Sequence, residues 1–168
     1  MSDSILIDIA EAVKDEINSA GFGRDFKAER SYADWDVKLE DVDVLRVDVV
    51  PVRCDPRQAS RGLIEYECAV DIGIRKRFGS STTETATGRI QQDRIDELME
   101  LSQRISDYFL PSQAVSGQDG HPLTDVPEAC WLQTENRAAF VPKHIREARQ
   151  FTSIFRVTFL ADRTPVTP

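Results

Sequence analysis

Histidine and cysteine are scarce, two and three residues in a chain of 168. The cysteines, Cys54, Cys68 and Cys130, are odd in number and form no C-x-x-C pair. That excludes a zinc-ribbon or thioredoxin-type motif and predicts reduced, partly buried thiols in a reducing compartment. His121 and His144 fit neither H-E-x-x-H nor a two-histidine metal spacing, and both are expected in exposed loops. No segment reaches the ~18 apolar residues of a membrane span. The start, Met1-Ser2-Asp3-Ser4, has neither the basic flank nor the apolar run of a signal peptide. The expectation is a soluble protein of the cytosol, with no membrane partner.

Positive charge is also short. Lys plus Arg is 21 against 29 for Asp plus Glu, a net charge of −8. Phosphate binding depends on clustered cations, so the free protein is not expected to hold nucleic acid, although it can face DNA without gripping it.

The usual catalytic fingerprints fail one by one. Gly21-Phe22-Gly23 follows a helical pattern instead of a strand and lacks the third glycine of a dinucleotide site. The stretch from Gly79 to Gly88 has no G-K-[ST], so it is no phosphate-binding loop of that kind. Ser80, Ser81 and the threonines beside them have no G-x-S-x-G context. Cys68 falls on the apolar side of a strand, a poor place for a nucleophile. Asp34-Trp35-Asp36 and Asp41-Val42-Asp43 offer paired carboxylates, but not the central glycine and terminal glutamate of a calcium loop. They read as a solvated acidic loop. A metal-dependent enzyme built on Asp34, Asp36, Asp41 and Asp43 is the weakest of three functional readings. The expectation is no catalytic, cofactor-binding or metal-binding residue.

What is present is a patterned globular sequence, 40% hydrophobic and 30% charged. Ile5, Ile9, Val13 and Ile17, with Leu6 and Ala10 beside them, predict an amphipathic helix from about Ser4 to Ala20. Ser2 or Ser4 can cap it, and Gly21 and Gly23 can end it. An extended segment from Phe26 to Tyr32 and an acidic, irregular stretch from Tyr32 to Asp43 follow. Leu45, Val47 and Val49 alternate with Arg46 and Asp48, which predicts a strand ending at Pro51. Cys54 to Gly62 reads as a loop.

The strongest strand signal runs from Leu63 to Arg75. Ile64, Tyr66, Cys68, Val70, Ile72 and Ile74 share one side, and Glu65, Glu67, Asp71 and Arg75 the other, predicting one buried and one wet face. The short preceding loop predicts a hairpin with the Leu45–Val52 strand. Arg75-Lys76-Arg77 is the one basic run. It reads either as a guard against aggregation at the strand end or as a contact with nucleic acid or a neighbouring subunit.

Gly79 to Gln92 is polar and read as a loop. Ile95, Leu98, Met99, Ile105 and Phe109 predict a second helix over about Asp93 to Phe109, stopped by Pro111. Ser112 to Pro127 reads as a long exposed loop. Ala129–Thr134 and Ala138–Val141 suggest a short hairpin. Phe151, Phe155, Val157 and Phe159 predict a closing strand over Phe151 to Ala161, with Arg156 and Thr158 on its other side. The order predicts a single α+β domain over residues 1–168: a mostly antiparallel sheet with two amphipathic helices packed on one side.

Glu29-Arg30-Ser31-Tyr32, the acidic stretch and Leu45-Arg-Val-Asp-Val-Val-Pro51 resemble a group of small prophage-encoded virion proteins. So do Tyr66-Glu-Cys-Ala-Val-Asp-Ile-Gly-Ile74, Ile95-Asp-Glu-Leu-Met-Glu-Leu101 and Phe151-Thr-Ser-Ile-Phe-Arg-Val157. With the element order, this resembles the phage tail terminator family, also called tail completion or neck proteins, over most of the chain. The resemblance implies a structural virion protein made in the bacterial host cytoplasm and placed at the head–tail junction. It implies a ring, usually a hexamer, that caps the tail tube protein and meets a head-completion or connector protein. DNA passes through its lumen without specific binding. The family offers no catalytic residue to carry over. Glu65, Glu67, Asp71, Arg75, Lys76, Arg77 and Arg156 are then candidates for subunit or lumen contacts. The alternatives are another head–tail connector and a small cytosolic ligand-binding or adaptor domain.

Overall fold

The computed structural model describes residues 4–60, 63–84, 86–110 and 123–162. In chain order these form α1 (Ile5–Ala20), β1 (Ala28–Arg30), β2 (Leu45–Ser60), β3 (Leu63–Arg77), a 3-10 turn at Ser80–Thr82, α2 (Gln92–Tyr108), β4 (Ala129–Ala138), α3 (Pro142–Ala148) and β5 (Gln150–Asp162). The strands make one five-stranded sheet in the order β1-β2-β3-β5-β4. Every pairing is antiparallel except β1 with β2. The α+β class and the mostly antiparallel sheet follow the sequence pattern.

The helices differ from expectation. There are three among the described residues, and they do not share a side. The inward faces of α1 and α2 join Val47, Val49, Cys68, Val70, Ile72, Ile74, Phe155, Val157 and Phe159 in one apolar core. Helix α1 ends where Gly21 adopts a left-handed φ of 64° and returns its N–H to the Ile17 carbonyl. Helix α3 packs on the opposite face, through His144 on Thr152 of β5. Its seven residues are too few to show periodicity, but Pro142 stands at its start, where a missing N–H costs nothing.

Two strand readings are corrected. Strand β2 does not stop at Pro51, and Cys54 to Ser60 is not a loop. It continues to Ser60, paired with β3 as far as Leu63. Strand β1 covers β2 only over Val47–Val49. Beyond that point β2 is an edge, where prolines such as Pro51 and Pro56 are tolerated. The suggested hairpin at 129–141 is instead a single strand, β4, laid along β5 with two register shifts.

The parallel pairing of β1 with β2 has a topological consequence. Parallel neighbours need a crossover connection. Residues 31–44 make it without a helix, over the face opposite α1 and α2. The Trp35 ring lies against Gly73 so closely that a Cβ there would stand 2.1 Å from a ring carbon. Leu39 is buried and donates its backbone N–H to the Gln150 side chain at 2.8 Å. The far end of the 112–127 loop is also less exposed than expected, since Leu123 and Val126 are core residues. Residues 112–122, with His121, lie outside the described residues, as does Ser2.

Candidate functional site

The predicted contact residues divide into a buried group and a peripheral group. Asp71 and Arg75 were expected on a wet face, yet they are 6% and 5% exposed. The crossover covers Arg75. Its guanidinium bonds Asp48 through Nη2 at 2.7 Å and Nε at 3.3 Å, and its carbon lies 5.3 Å from the centre of the Trp35 ring. Ser31 donates its hydroxyl to the same Asp48 at 2.9 Å. Asp71 accepts two hydrogen bonds from Arg156, at 2.7 and 3.1 Å. The charges of Asp71, Arg75 and Arg156 are therefore neutralised inside the subunit. A bidentate arginine–carboxylate pair is among the strongest polar contacts available to a folded chain.

The basic run is likewise dispersed. Arg77 donates to the backbone carbonyls of Leu39 and Glu40, which fastens the crossover. Lys76, half-buried, points to the helix side of the sheet and lines a cleft of about 340 Å³ with Arg24, Asp25, Asp43, Thr82 and Arg94. Glu97 sits between Arg24 and Arg94 at 3.4 Å from each, so the cleft has mixed charge. Glu67 bridges Arg53 and Arg57 at 2.9 and 3.4 Å. Glu65 is half-buried and stands opposite Arg57 in the register of β2 with β3.

The four aspartates of the D-x-D pairs are separated by the fold. Asp34 accepts the Asp36 backbone N–H, Asp36 faces His144, Asp41 pairs with Arg46, and Asp43 accepts the Gly79 backbone N–H. Among the described residues, no three histidine, cysteine or carboxylate side chains converge on a metal position.

His144 is not an exposed loop residue. It is 7% exposed on α3, bonded to Thr152 Oγ1 at 2.9 Å and to Asp36 Oδ1 at 3.3 Å. Gln150 also donates its amide to Thr152 Oγ1, at 3.1 Å. This Thr–His–Asp connectivity resembles a nucleophile relay, but Thr152 is fully buried and no substrate can approach its hydroxyl. The arrangement clamps the crossover and α3 to β5.

A second latch escaped sequence reading. Glu16 is 8% exposed on α1. Its carboxylate accepts the Thr124 backbone N–H at 3.0 Å, the Thr124 hydroxyl, and the Tyr108 hydroxyl at 2.9 Å. Burial, then the bond to Glu16, pushes the Tyr108 phenol up to about 12. An acidic residue on the apolar stripe of α1 was the available signal. No protein-family model matches the chain, and no curated protein sequence does. Among the described residues, no helix is long and apolar enough to cross a membrane.

Proposed function

We propose that this chain is a structural virion subunit of the tail terminator kind. In this reading, copies of it form a ring, a hexamer, at the head–tail junction, seated on the tail tube and passing DNA through the lumen. The sequence resemblance supplies the class. The observation that supports assembly is the crossover. Its inner side anchors to the sheet, while Tyr32, Val37, Val42 and Val44 on the same segment are 73%, 56%, 43% and 48% exposed. Exposed apolar side chains on a segment anchored from its inner side are candidates for contact with a second copy, the occupant a ring requires.

The sheet edges favour contact by side chains over strand addition. Pro51 and Pro56 remove donors from the β2 edge, and β4 carries two register shifts with Glu135 and Arg137. A net charge of −8 suits a conduit, because like charge keeps sliding phosphates from adhering. With Asp71, Arg75 and Arg156 paired internally and Glu67 held by Arg53 and Arg57, Glu65 remains the stronger lumen candidate. The runner-up, a small ligand-binding domain, draws its support from the mixed-charge cleft around Lys76.

The test is to cross-link intact particles of the parent virus and map the links by mass spectrometry. Exposed Lys38, on the crossover, should link to a second copy of the chain at the head–tail junction. Absence of the chain from that junction, or its presence there as an isolated decoration, would overturn the reading. A monomer in isolation is not decisive, because assembly can require the tail tube as template.

A further inference from the structure

Cys54 on β2 and Cys68 on β3 are direct register partners across an antiparallel ladder. They are fourteen positions apart in sequence, and both are free thiols. Their sulfurs stand 2.7 Å apart. Directly opposed residues in such a ladder have Cα atoms about 4.5 or 5.5 Å apart, and both spacings fall within the range a disulfide spans. The register therefore sets the two backbones at a separation of the kind a disulfide spans.

The two thiols differ in access. Cys68 is fully buried in the core, while Cys54 is half-buried at the part of β2 that β1 leaves uncovered. Cys130, on β4, is exposed and pairs in register with Leu160, not with a cysteine.

We propose that Cys54 and Cys68 are a redox site: reduced where the chain folds, and converted to a cross-strand disulfide by a small-molecule disulfide of the glutathione type. The Cys54 thiolate attacks one sulfur of the oxidant and releases one small thiol, leaving a mixed disulfide on Cys54. The Cys68 thiolate then attacks the Cys54 sulfur and expels the second small thiol. The protein loses two protons and two electrons, and one small disulfide becomes two thiols. Burial, then the contact with Cys54, raises the Cys68 thiol well above its ordinary range. The second step therefore accelerates as pH rises. The bond would staple β2 to β3 at the stretch where, among the described residues, β3 is the one strand paired with β2. This inference does not depend on the ring reading.

The experiment uses the full chain carrying only Cys130→Ser, a change at an exposed position. Reduced protein is equilibrated with oxidised glutathione, alkylated, and analysed by intact mass and peptide mapping. The expected result is loss of two hydrogen atoms, a linked peptide holding Cys54 and Cys68, and no dimer on a non-reducing gel. The oxidised form should melt roughly 6–12 °C above the reduced form, as expected for a short closed loop. Complete alkylation of both thiols after equilibration, or a stable glutathione adduct on Cys54, would overturn the proposal.

Discussion

The two faces of the central strand make an instructive pair. On the helix side of β3, Cys68, Val70, Ile72 and Ile74 are fully buried beneath α1 and α2. On the other side, Ala69, Asp71 and Arg75 are buried as well, although two of the three are charged. One face is dry because apolar side chains meet helices. The other is dry from Asp71 to Arg75 because a connecting segment crosses it and both charges there find partners. Alternation in a sequence tells which residues share a side. It does not tell whether that side is wet, because that depends on where distant chain passes.

Removing one member of the buried ion pair has the largest expected effect. Asp48→Ala strands Arg75 and should cost ~3–5 kcal/mol in urea unfolding. Adding Arg75→Met in the same chain should recover much of that loss. A single-variant cost below ~0.5 kcal/mol, the range of surface substitutions, would mean the second face is wet after all. On the helix face, Ile72→Ala should cost ~2–5 kcal/mol by cavity formation, with no rescue from a charged neighbour.

A smaller effect probes the crossover itself. Gly73→Ala places a methyl group where the Trp35 ring lies, and should cost ~1–3 kcal/mol through overpacking. In a Trp131→Phe background, Trp35 fluorescence should shift to the red as the ring is pushed outward. An unchanged spectrum and unchanged stability would place the crossover elsewhere. The smallest effect lies at the helix latch. With the Tyr108 phenol raised to about 12, its contribution is fully present below pH ~10 and is lost as pH climbs from there toward 12. Tyr108→Phe should cost ~1–2 kcal/mol at neutral pH and flatten the alkaline decline in melting temperature.

Much of the fold was legible where a single period ran long enough. Helices α1 and α2 and strands β3 and β5 lie within one or two residues of their expected bounds. Short or interrupted signals failed. Pro51 read as a strand end, and Cys54 to Gly62 as a loop, because nothing local reveals that β2 becomes an edge beyond Val49. Helix α3 has no room for a repeat. Asp48 and Arg75 carry no mark of their pairing, which spans 27 positions on two strands. His144 gave no sign that Thr152 and Asp36 would surround it. Of the candidate contact residues, sequence could name the charges but not which of them the fold would neutralise.

The clamps on the crossover bear on how the chain folds. Leu39 bonds Gln150 across 111 positions, and Asp36 meets His144 across 108. The β2–β3 hairpin, by contrast, is nearly local in sequence. Contacts of high sequence separation carry a loop-closure cost before they return any stability, so they follow the hairpin and the helices in time. That order predicts their formation after the rate-limiting barrier. Weakening Gln150 or His144 would leave the folding rate almost unchanged and speed unfolding instead, making the crossover the kinetic lock of the folded subunit.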